Sequence, residues 1–307
     1  MHSKYNKIQK SDLLKERIEA VKKRMTSCDL CPRKCGVNRL KDEVGFCKTG
    51  QHAWVSGTFA HFGEESPLVG SKGSGTIFFS YCNLLCNFCQ NYETSHNGDG
   101  RAVNDSELAE IMLNLQGQGC HNINFVTPSH VVYHILSASA IAIEKGLHIP
   151  LVFNTGAYDC VDTLKLLDGI IDIYMPDFKF WENDIAEKTC RASNYPQIAQ
   201  SAIKEMYRQV GDLKMDSNGI AISGLLLRHL VLPHKLAGTR EIMHFIATQL
   251  SKNTYTNIMP QYRPCGQAYQ IADLASHISE EEFQDALNEA KQKGILRLDQ
   301  PRCFLFP

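Results

Sequence analysis

From about residue 75 onward, short apolar runs alternate with helical patterns, and this alternation constrains the fold of the 307-residue chain more than any other feature. The runs are Thr76 to Ser80, Ile123 to Thr127, P-L-V-F-N-T-G from Pro150, I-I-D-I-Y-M-P-D from Ile170, G-L-L-L-R-H-L-V-L from Gly224 and Y-T-N-I-M-P from Tyr255. Between the first two, Leu108, Ile111, Met112 and Leu115 recur at helical spacing, and Gly117 and Gly119 end the helix. Pro128 and Ser129 open the next helix, which runs to Gly146, and a further helix carries Val161, Leu164 and Leu167. After Asp177 come helical patterns near Ile185 and over Tyr195 to Gln209, then a hairpin with Asn218-Gly219 at its turn. The fifth run is apolar throughout except for Arg228 and His229, as in a strand buried on both faces. Six strand-helix units predict an α/β fold, a partial (β/α)6 TIM-type barrel of parallel strands, whose working residues collect on the loops after the strands' C-terminal ends.

The first strand of this series leads directly into Y-C-N-L-L-C-N-F-C-Q, with Cys82, Cys86 and Cys89 separated by three and two residues. Three thiolates on so short a loop can hold three corners of a four-iron cubane, leaving one iron open for substrate or cofactor. Other polar groups follow the later strands at the same end: Thr127 and Ser129, Asn154 and Thr155, Asp177 and Lys179, and Gln261, Tyr262 and Arg263, with Arg228 inside the fifth strand. A guanidinium within an apolar strand needs a partner.

A second cysteine group stands near the N-terminus. An amphipathic helix over residues 11 to 25, with Leu14, Ile18, Val21 and Met25 on one stripe, precedes C-D-L-C-P-R-K-C, and Cys47 follows in V-G-F-C. Cys28, Cys31, Cys35 and Cys47 make a closed four-thiolate site for zinc or for an iron-sulfur cluster; four cysteines alone do not choose between the two, nor against free thiols or a redox pair. The chain then divides into a helix and four-cysteine module over residues 1–50, the barrel over 51–270, and a C-terminal helix and strand over 271–307 packed on it. Ser279 and Glu282 form a capping box for that helix.

Composition limits the partners. Formal net charge is -1, which gives no general electrostatic pull toward nucleic acid or membrane. No apolar run has the length of a membrane span, and M-H-S-K-Y-N-K-I-Q-K lacks the apolar core of a signal peptide, so a cytoplasmic location is expected. In a reducing compartment clustered cysteines read as metal ligands, while Cys120, Cys160, Cys190, Cys265 and Cys303 are scattered and read as small core residues. His130 and His134 lie four apart without an H-E-x-x-H pattern and read as ordinary helix histidines; the glycines of G-S-K-G-S-G-T precede a strand and read as a turn.

The C-x3-C-x2-C loop after the first strand, with Phe88 before its third cysteine, resembles the radical S-adenosylmethionine (SAM) enzymes. C-D-L-C-P-R-K-C-G-V, Y-M-P-D-F-K-F-W, R-H-L-V-L-P and M-P-Q-Y-R-P make the chain similar to the branch related to pyruvate formate-lyase activating enzymes. The resemblance implies a [4Fe-4S] cluster on Cys82, Cys86 and Cys89, S-adenosyl-L-methionine on its open iron, and a 5'-deoxyadenosyl radical that takes hydrogen from a protein substrate, in this branch a glycyl-radical enzyme. It implies that Thr127, Asn154, Thr155, Asp177, Lys179 and Arg228 surround the cofactor, with Arg228 set to pair its carboxylate, and that a flavodoxin or ferredoxin serves as reductant. Where relatives carry a Gly-Gly-Glu-like segment after strand two, this chain has V-T-P-S-H and no carboxylate. Two alternatives stand beside this expectation: the same radical chemistry on a small molecule or in another protein modification, and an iron-sulfur electron carrier or metal-binding protein.

Overall fold

The computed structural model describes Tyr5 and residues 12–299. Cys303 lies outside the described residues. In chain order the elements are α1 (Leu13–Arg24), β1 (Ala53–His61), α2 (Ser66–Val69), β2 (Ser74–Phe79), β3 (Arg101–Val103), α3 (Asp105–Gly117), β4 (Ile123–Val126), α4 (Val132–Glu144) and β5 (Leu151–Thr155). They continue with α5 (Val161–Lys165), β6 (Ile173–Pro176), α6 (Asn183–Cys190), α7 (Tyr195–Val210), β7 (Lys214–Met215), β8 (Ala221–Leu230), α8 (Thr239–Phe245), β9 (Tyr255–Met259) and α9 (Glu280–Gln292).

Six strands pair in parallel in the order β2, β4, β5, β6, β8, β9, the partial barrel expected from the alternation. β1 and β3, which the alternation did not reveal, extend the β2 edge by antiparallel pairing. A bulge between Val55 and Gly57 breaks the two-residue period of β1, and its second half is largely solvated, so it carries no clean apolar pattern. β7 pairs antiparallel with β8, and the Asp216 carboxylate accepts from the amides of Asn218 and Ile220 at the turn. Two boundaries differ from expectation. Pro128 to Val131 form a turn rather than helix, with Thr127 in the left-handed region at φ 60°. The C-terminal I-L-R-L contributes one bridge, Thr256 to Leu298, rather than a strand.

Alternation along the strands separates two apolar regions. Ile123, Phe125, Leu151, Phe153, Leu225 and Leu227 join the main core with the buried faces of α3, α4 and α7. Val152, Ile173, Met175, Leu226 and Tyr255 form a separate cluster with Leu68 of α2, which closes the barrel interior at its N-terminal end. Further along the same strands that face turns polar, with Asn124, Asn154, Arg228 and Asn257. The apolar floor therefore sets the depth at which the polar groups begin. Reciprocal capping boxes start α3 at Asn104–Glu107 and α9 at Ser279–Glu282. Among the described residues no helix is long and apolar enough to cross a membrane.

Gly224 marks a close approach that the barrel requires. Its φ is 121°, and a Cβ there would lie 2.4 Å from the Asp212 carbonyl oxygen and 2.4 Å from the Leu213 Cα, both backbone atoms. Gly224→Ala is expected to lower stability by roughly 1–3 kcal/mol through strain and backbone displacement. A denaturant midpoint equal to that of the parent protein, at unchanged slope, would show that the approach is not tight.

Candidate active site

The loop after β2 is fastened from several directions. His130 Nε2 bonds the Ser80 carbonyl at 2.9 Å, Asn83 donates to the Tyr158 carbonyl at 2.7 Å, and the Asn87 amide donates to the Thr189 carbonyl at 2.9 Å. Phe88 packs edge-on against Phe180 and Tyr262. Gly156 lets Leu84 lie close, since a Cβ there would meet the leucine Cδ1 at 2.7 Å. Tyr81 and Leu85 take left-handed backbone angles, with φ at 69° and 54°. Burial, with Arg39 near, holds His130 down at about 3, which keeps it neutral.

Within this loop Cys86 is buried and Cys82 and Cys89 are half-buried. Burial pushes the Cys82 thiol up to about 12. Contact with the Cys190 thiol, then burial, raises Cys86, and burial raises Cys89. Donors oppose these shifts at each sulfur. The Leu84 amide lies 3.3 Å from Cys82 Sγ, the Ser95 hydroxyl 3.2 Å from Cys89 Sγ, and Lys179 favours the thiolates of Cys86 and Cys89. Alone the chain keeps these thiols protonated, yet it carries the N–H, O–H and ammonium groups that stabilise thiolates once metal displaces the protons. This donor set fits a cubane, in which each thiolate takes a different iron. Among the described residues no group of three or more His, Cys, Asp or Glu side chains is placed to hold a single metal ion.

A cavity of about 410 Å³ opens between the loop and the C-terminal strand ends, lined by the three cysteines and by Thr127, Asn154, Thr155, Asp177, Lys179 and Arg228. Its centre is an ion network. Arg228 Nε lies 2.6 Å from Asp177 Oδ1, Arg228 Nη2 donates to Asn154 Oδ1 at 2.8 Å, and Lys179 Nζ lies 2.7 Å from Asp177 Oδ2. Burial alone would raise the Asp177 carboxyl; Arg228 and Lys179 outweigh it and hold Asp177 at about 2. The Arg228 fork is thus largely engaged by protein groups. The hydroxyl of Thr155 is also engaged, donating to Asp159 at 2.7 Å. Gln261 lines the cavity, and its carbonyl accepts from Gln90. Tyr262 is buried with its hydroxyl on the Leu274 carbonyl, and Arg263 is exposed and does not line the cavity.

Two carboxylates in this region were not singled out in the sequence. Glu64, in the connection from β1 to α2, accepts from Asn124 Nδ2 at 3.1 Å and lies 3.4 Å from Arg228 Nη1. Glu65 accepts from Asn257 Nδ2 at 2.8 Å. They belong to the G-E-E-S-P stretch, which carries no periodicity, and only the folded chain brings them beneath Arg228. The V-T-P-S-H segment has no carboxylate, but Glu64 supplies one to the same cavity from another part of the chain.

The N-terminal cysteines lie on tight turns. The Cys28 amide donates to the Val37 carbonyl, Gly36 to Cys28 and Lys34 to Cys31. Cys28, Cys31 and Cys47 are buried and Cys35 is exposed. Burial raises the Cys31 thiol, with Cys47 and Cys28 near enough to add to it. The module braces the active-site loop, because Arg33 donates to the carbonyls of Asn83 and Cys190 at 2.8 Å each. Among the scattered cysteines, Cys120 is a buried core residue and Cys160 is half-buried, with its thiol toward the Asp29 carbonyl. Cys190 stands against Cys86, and Cys265 donates to the Phe88 carbonyl, so both flank the three-cysteine loop. His134 pairs with Asp105 at 2.8 Å, apart from His130.

Burial, then the adjacent Glu65, raises Glu64 to about 7. A carboxyl raised on folding stabilises the fold below its unfolded value near 4.3, and that contribution is lost as pH rises through its folded value. Between about pH 5 and 8 the parent protein is expected to lose on the order of 1–3 kcal/mol relative to Glu64→Gln. Parallel stability–pH curves for the two proteins in urea would contradict this.

The sequence model of the Radical SAM superfamily matches residues 76–220. The uncharacterized protein MJ0674 of Methanocaldococcus jannaschii is 33% identical over 298 residues, covering 93% of this chain and 80% of its own length. Among solved structures, HydG, a maturase of the [FeFe]-hydrogenase, aligns with a TM-score of 0.48 and 15% identity over 73% of this chain, which spans about half of HydG, 49%. With most of β2, the three-cysteine loop and the Asp177–Lys179 segment inside the matched region, and MJ0674 related along nearly the whole length, the chain belongs to the radical SAM superfamily.

Proposed function

We propose that this radical SAM enzyme abstracts hydrogen from a protein or peptide substrate, in the manner of the activating enzymes of glycyl-radical enzymes. The observation that carries the reading is that the three-cysteine loop and the Asp177–Arg228–Lys179 network face one cavity. When bound, the [4Fe-4S] cluster and S-adenosylmethionine supply reductive cleavage to methionine and a 5'-deoxyadenosyl radical, which takes the hydrogen atom. Cys82, Cys86 and Cys89 hold the cluster. Thr127, Asn154, Thr155, Asp177, Lys179 and Arg228 surround the cofactor: the Lys179 charge acts on Cys86 and Cys89, and the Asp177 carboxylate is fixed by Lys179 and Arg228. The loop and the barrel wall keep the reacting centre away from water.

An exposed aromatic surface supports a macromolecular substrate. Phe59 stacks on Phe78 with centroids 5.5 Å apart, and Phe59 and Phe62 remain 46% and 48% exposed beside His61. His61 and Phe78 line the cavity, so this apolar surface runs into it. A flavodoxin or ferredoxin is the proposed electron donor, and the cytoplasm the proposed location. The N-terminal cysteines are proposed as a second metal site. Buried Cys28, Cys31 and Cys47 lie on tight turns but are not gathered around a single ion, so an iron-sulfur cluster, which takes one thiolate per iron, suits them better than zinc.

Two measurements test these assignments. Anaerobically reconstituted protein with dithionite is expected to form 5'-deoxyadenosine from S-adenosylmethionine, and Cys86→Ala to reduce this to background. Absence of turnover in the parent protein would point instead to an electron carrier. Metal and sulfide analysis of a variant with Cys82, Cys86 and Cys89 all changed to Ala reads the second site: iron with sulfide identifies a second cluster, zinc a structural knot, and neither removes the site.

A further inference from the structure

Arg39 is 1% exposed, and among the described residues it takes part in no ion pair. The remaining residues, 1–4, 6–11 and 300–307, include no Asp or Glu. Carboxylates of the N-terminal module are engaged elsewhere: Asp29 pairs with Arg24 at 2.6 Å, Asp42 accepts from the Gln51 amide and Glu43 from the Asn38 amide. Arg39 Nε donates to the Gly50 carbonyl at 3.0 Å and Nη1 to the His130 carbonyl at 2.6 Å, while Nη2 has no hydrogen-bond partner among the described residues. Arg228, with 16% of its side chain exposed, by contrast meets three carboxylates. A buried charge held by carbonyl groups alone is left uncompensated. We infer that Arg39 is the charge partner of an anionic metal-thiolate centre on the N-terminal cysteines, a positioning residue for that centre; the inference rests on the reading of those cysteines as a second metal site.

The cysteine turns lie around this guanidinium. The Cys28 amide donates to the Val37 carbonyl, two residues before Arg39, and Gly50, which accepts from Nε, follows Cys47 by three residues with the Thr49 hydroxyl on the Cys47 carbonyl at 3.1 Å. Burial raises the Cys28 thiol, and the Leu30 backbone and then the Arg39 charge oppose that shift, so the guanidinium acts on a sulfur of the group. His130, on the barrel side, is held neutral and supplies no negative charge. Four protonated thiols are neutral as well. Once metal displaces their protons, four thiolates on a dipositive iron-sulfur core or on zinc(II) make a dianion, which is the charge Arg39 lacks. A diffusible anion is the other conceivable source, but Arg39 is buried and lines none of the cavities of about 410, 220 and 380 Å³, whereas the cysteines already stand beside it.

This assignment gives Arg39 opposite effects in two states. In the metal-free chain it is a buried charge without a partner, and an apolar side chain of similar volume is no worse there. In the metal-loaded chain it stabilises the centre, and the centre stabilises the fold through it. A role confined to hydrogen bonding or packing would stabilise both states alike.

The test uses the full chain with Cys82, Cys86 and Cys89 changed to Ala, so that only the N-terminal site takes up metal. This chain is compared with the same chain carrying Arg39→Met, Arg39→Gln or Arg39→Lys, each reconstituted anaerobically with iron and sulfide and, in a parallel sample, with zinc(II). Loss of metal to excess EDTA is timed, and the thermal midpoint is read with and without metal. Arg39→Met is expected to lose metal on the order of tenfold faster, Arg39→Gln, the smaller change that also removes the charge, to follow it, and Arg39→Lys, which keeps the charge, to stay within about threefold of the parent. Without metal, Arg39→Met is expected to melt at or above the parent, and with metal below it. Equal metal loss for the parent and both neutral variants, equal lowering of the midpoint in the two states, or Arg39→Lys losing metal as fast as Arg39→Met would overturn the inference. A parent that takes up neither iron with sulfide nor zinc fails the second-site reading and the inference with it; a parent that takes up metal which the neutral variants hold equally well fails the inference alone.

Discussion

The ion pair of Asp177 with Arg228 holds the interior of this barrel in register. Regular pairing of β6 with β8 covers only Ile173–Gly224 and Tyr174–Leu225, and the two strands meet again at the Asp177–Arg228 bridge. Removing two charges from water costs several kcal/mol per ion, so the pair persists only where further groups complete it. Here Lys179 and Asn154 do so, and the Tyr195 hydroxyl from α7 donates to the Asp177 carbonyl while accepting the Lys179 amide. The charged ends of β6 and β8 are thereby tied to the helix layer outside, and the cavity keeps its shape with its polar groups aimed inward.

The cysteine loop depends on that frame and on the N-terminal module together. Two arginines of the module reach the loop and its support. Arg33 stacks on Phe46 at 3.7 Å and donates to Asn83 within the loop; Arg39, fully buried, donates to the carbonyls of Gly50 and His130. His130 in turn bonds Ser80 at the start of the loop. An unbroken run of hydrogen bonds thus connects the four-cysteine segment to the three-cysteine loop, so that segment helps to build the site and does not merely precede it.

Much of this was legible in the chain. The parallel strands were visible because strands buried on both faces read as continuous apolar runs, and the position of Cys82 to Cys89 followed from the end of the first run. Residues at or just past a strand end, such as Asn154 near the end of β5 and Asp177 after β6, could be placed in the same way. What escaped lay where local pattern and tertiary role diverge. The β1 strand hides behind a bulge and a solvated half. Glu64 and Glu65 look like surface residues in G-E-E-S-P, because nothing local records that the chain there turns under Arg228. Cys190 reads as core packing from its spacing, and only the fold sets it against Cys86. That Arg228 needs a partner could be anticipated, but all four atoms it meets, three carboxylate oxygens and the Asn154 amide oxygen, belong to distant segments.

The central claim is that the cysteine loop and the ion network form one site, so that a cluster on the first and a cofactor beside the second touch. Electron paramagnetic resonance of the dithionite-reduced, cluster-loaded protein tests this most directly. Addition of S-adenosylmethionine is expected to shift the g-values of the reduced [4Fe-4S] signal, and Asp177→Asn to require a much higher cofactor concentration for the same shift. A reduced-cluster spectrum unchanged by saturating S-adenosylmethionine would contradict the account.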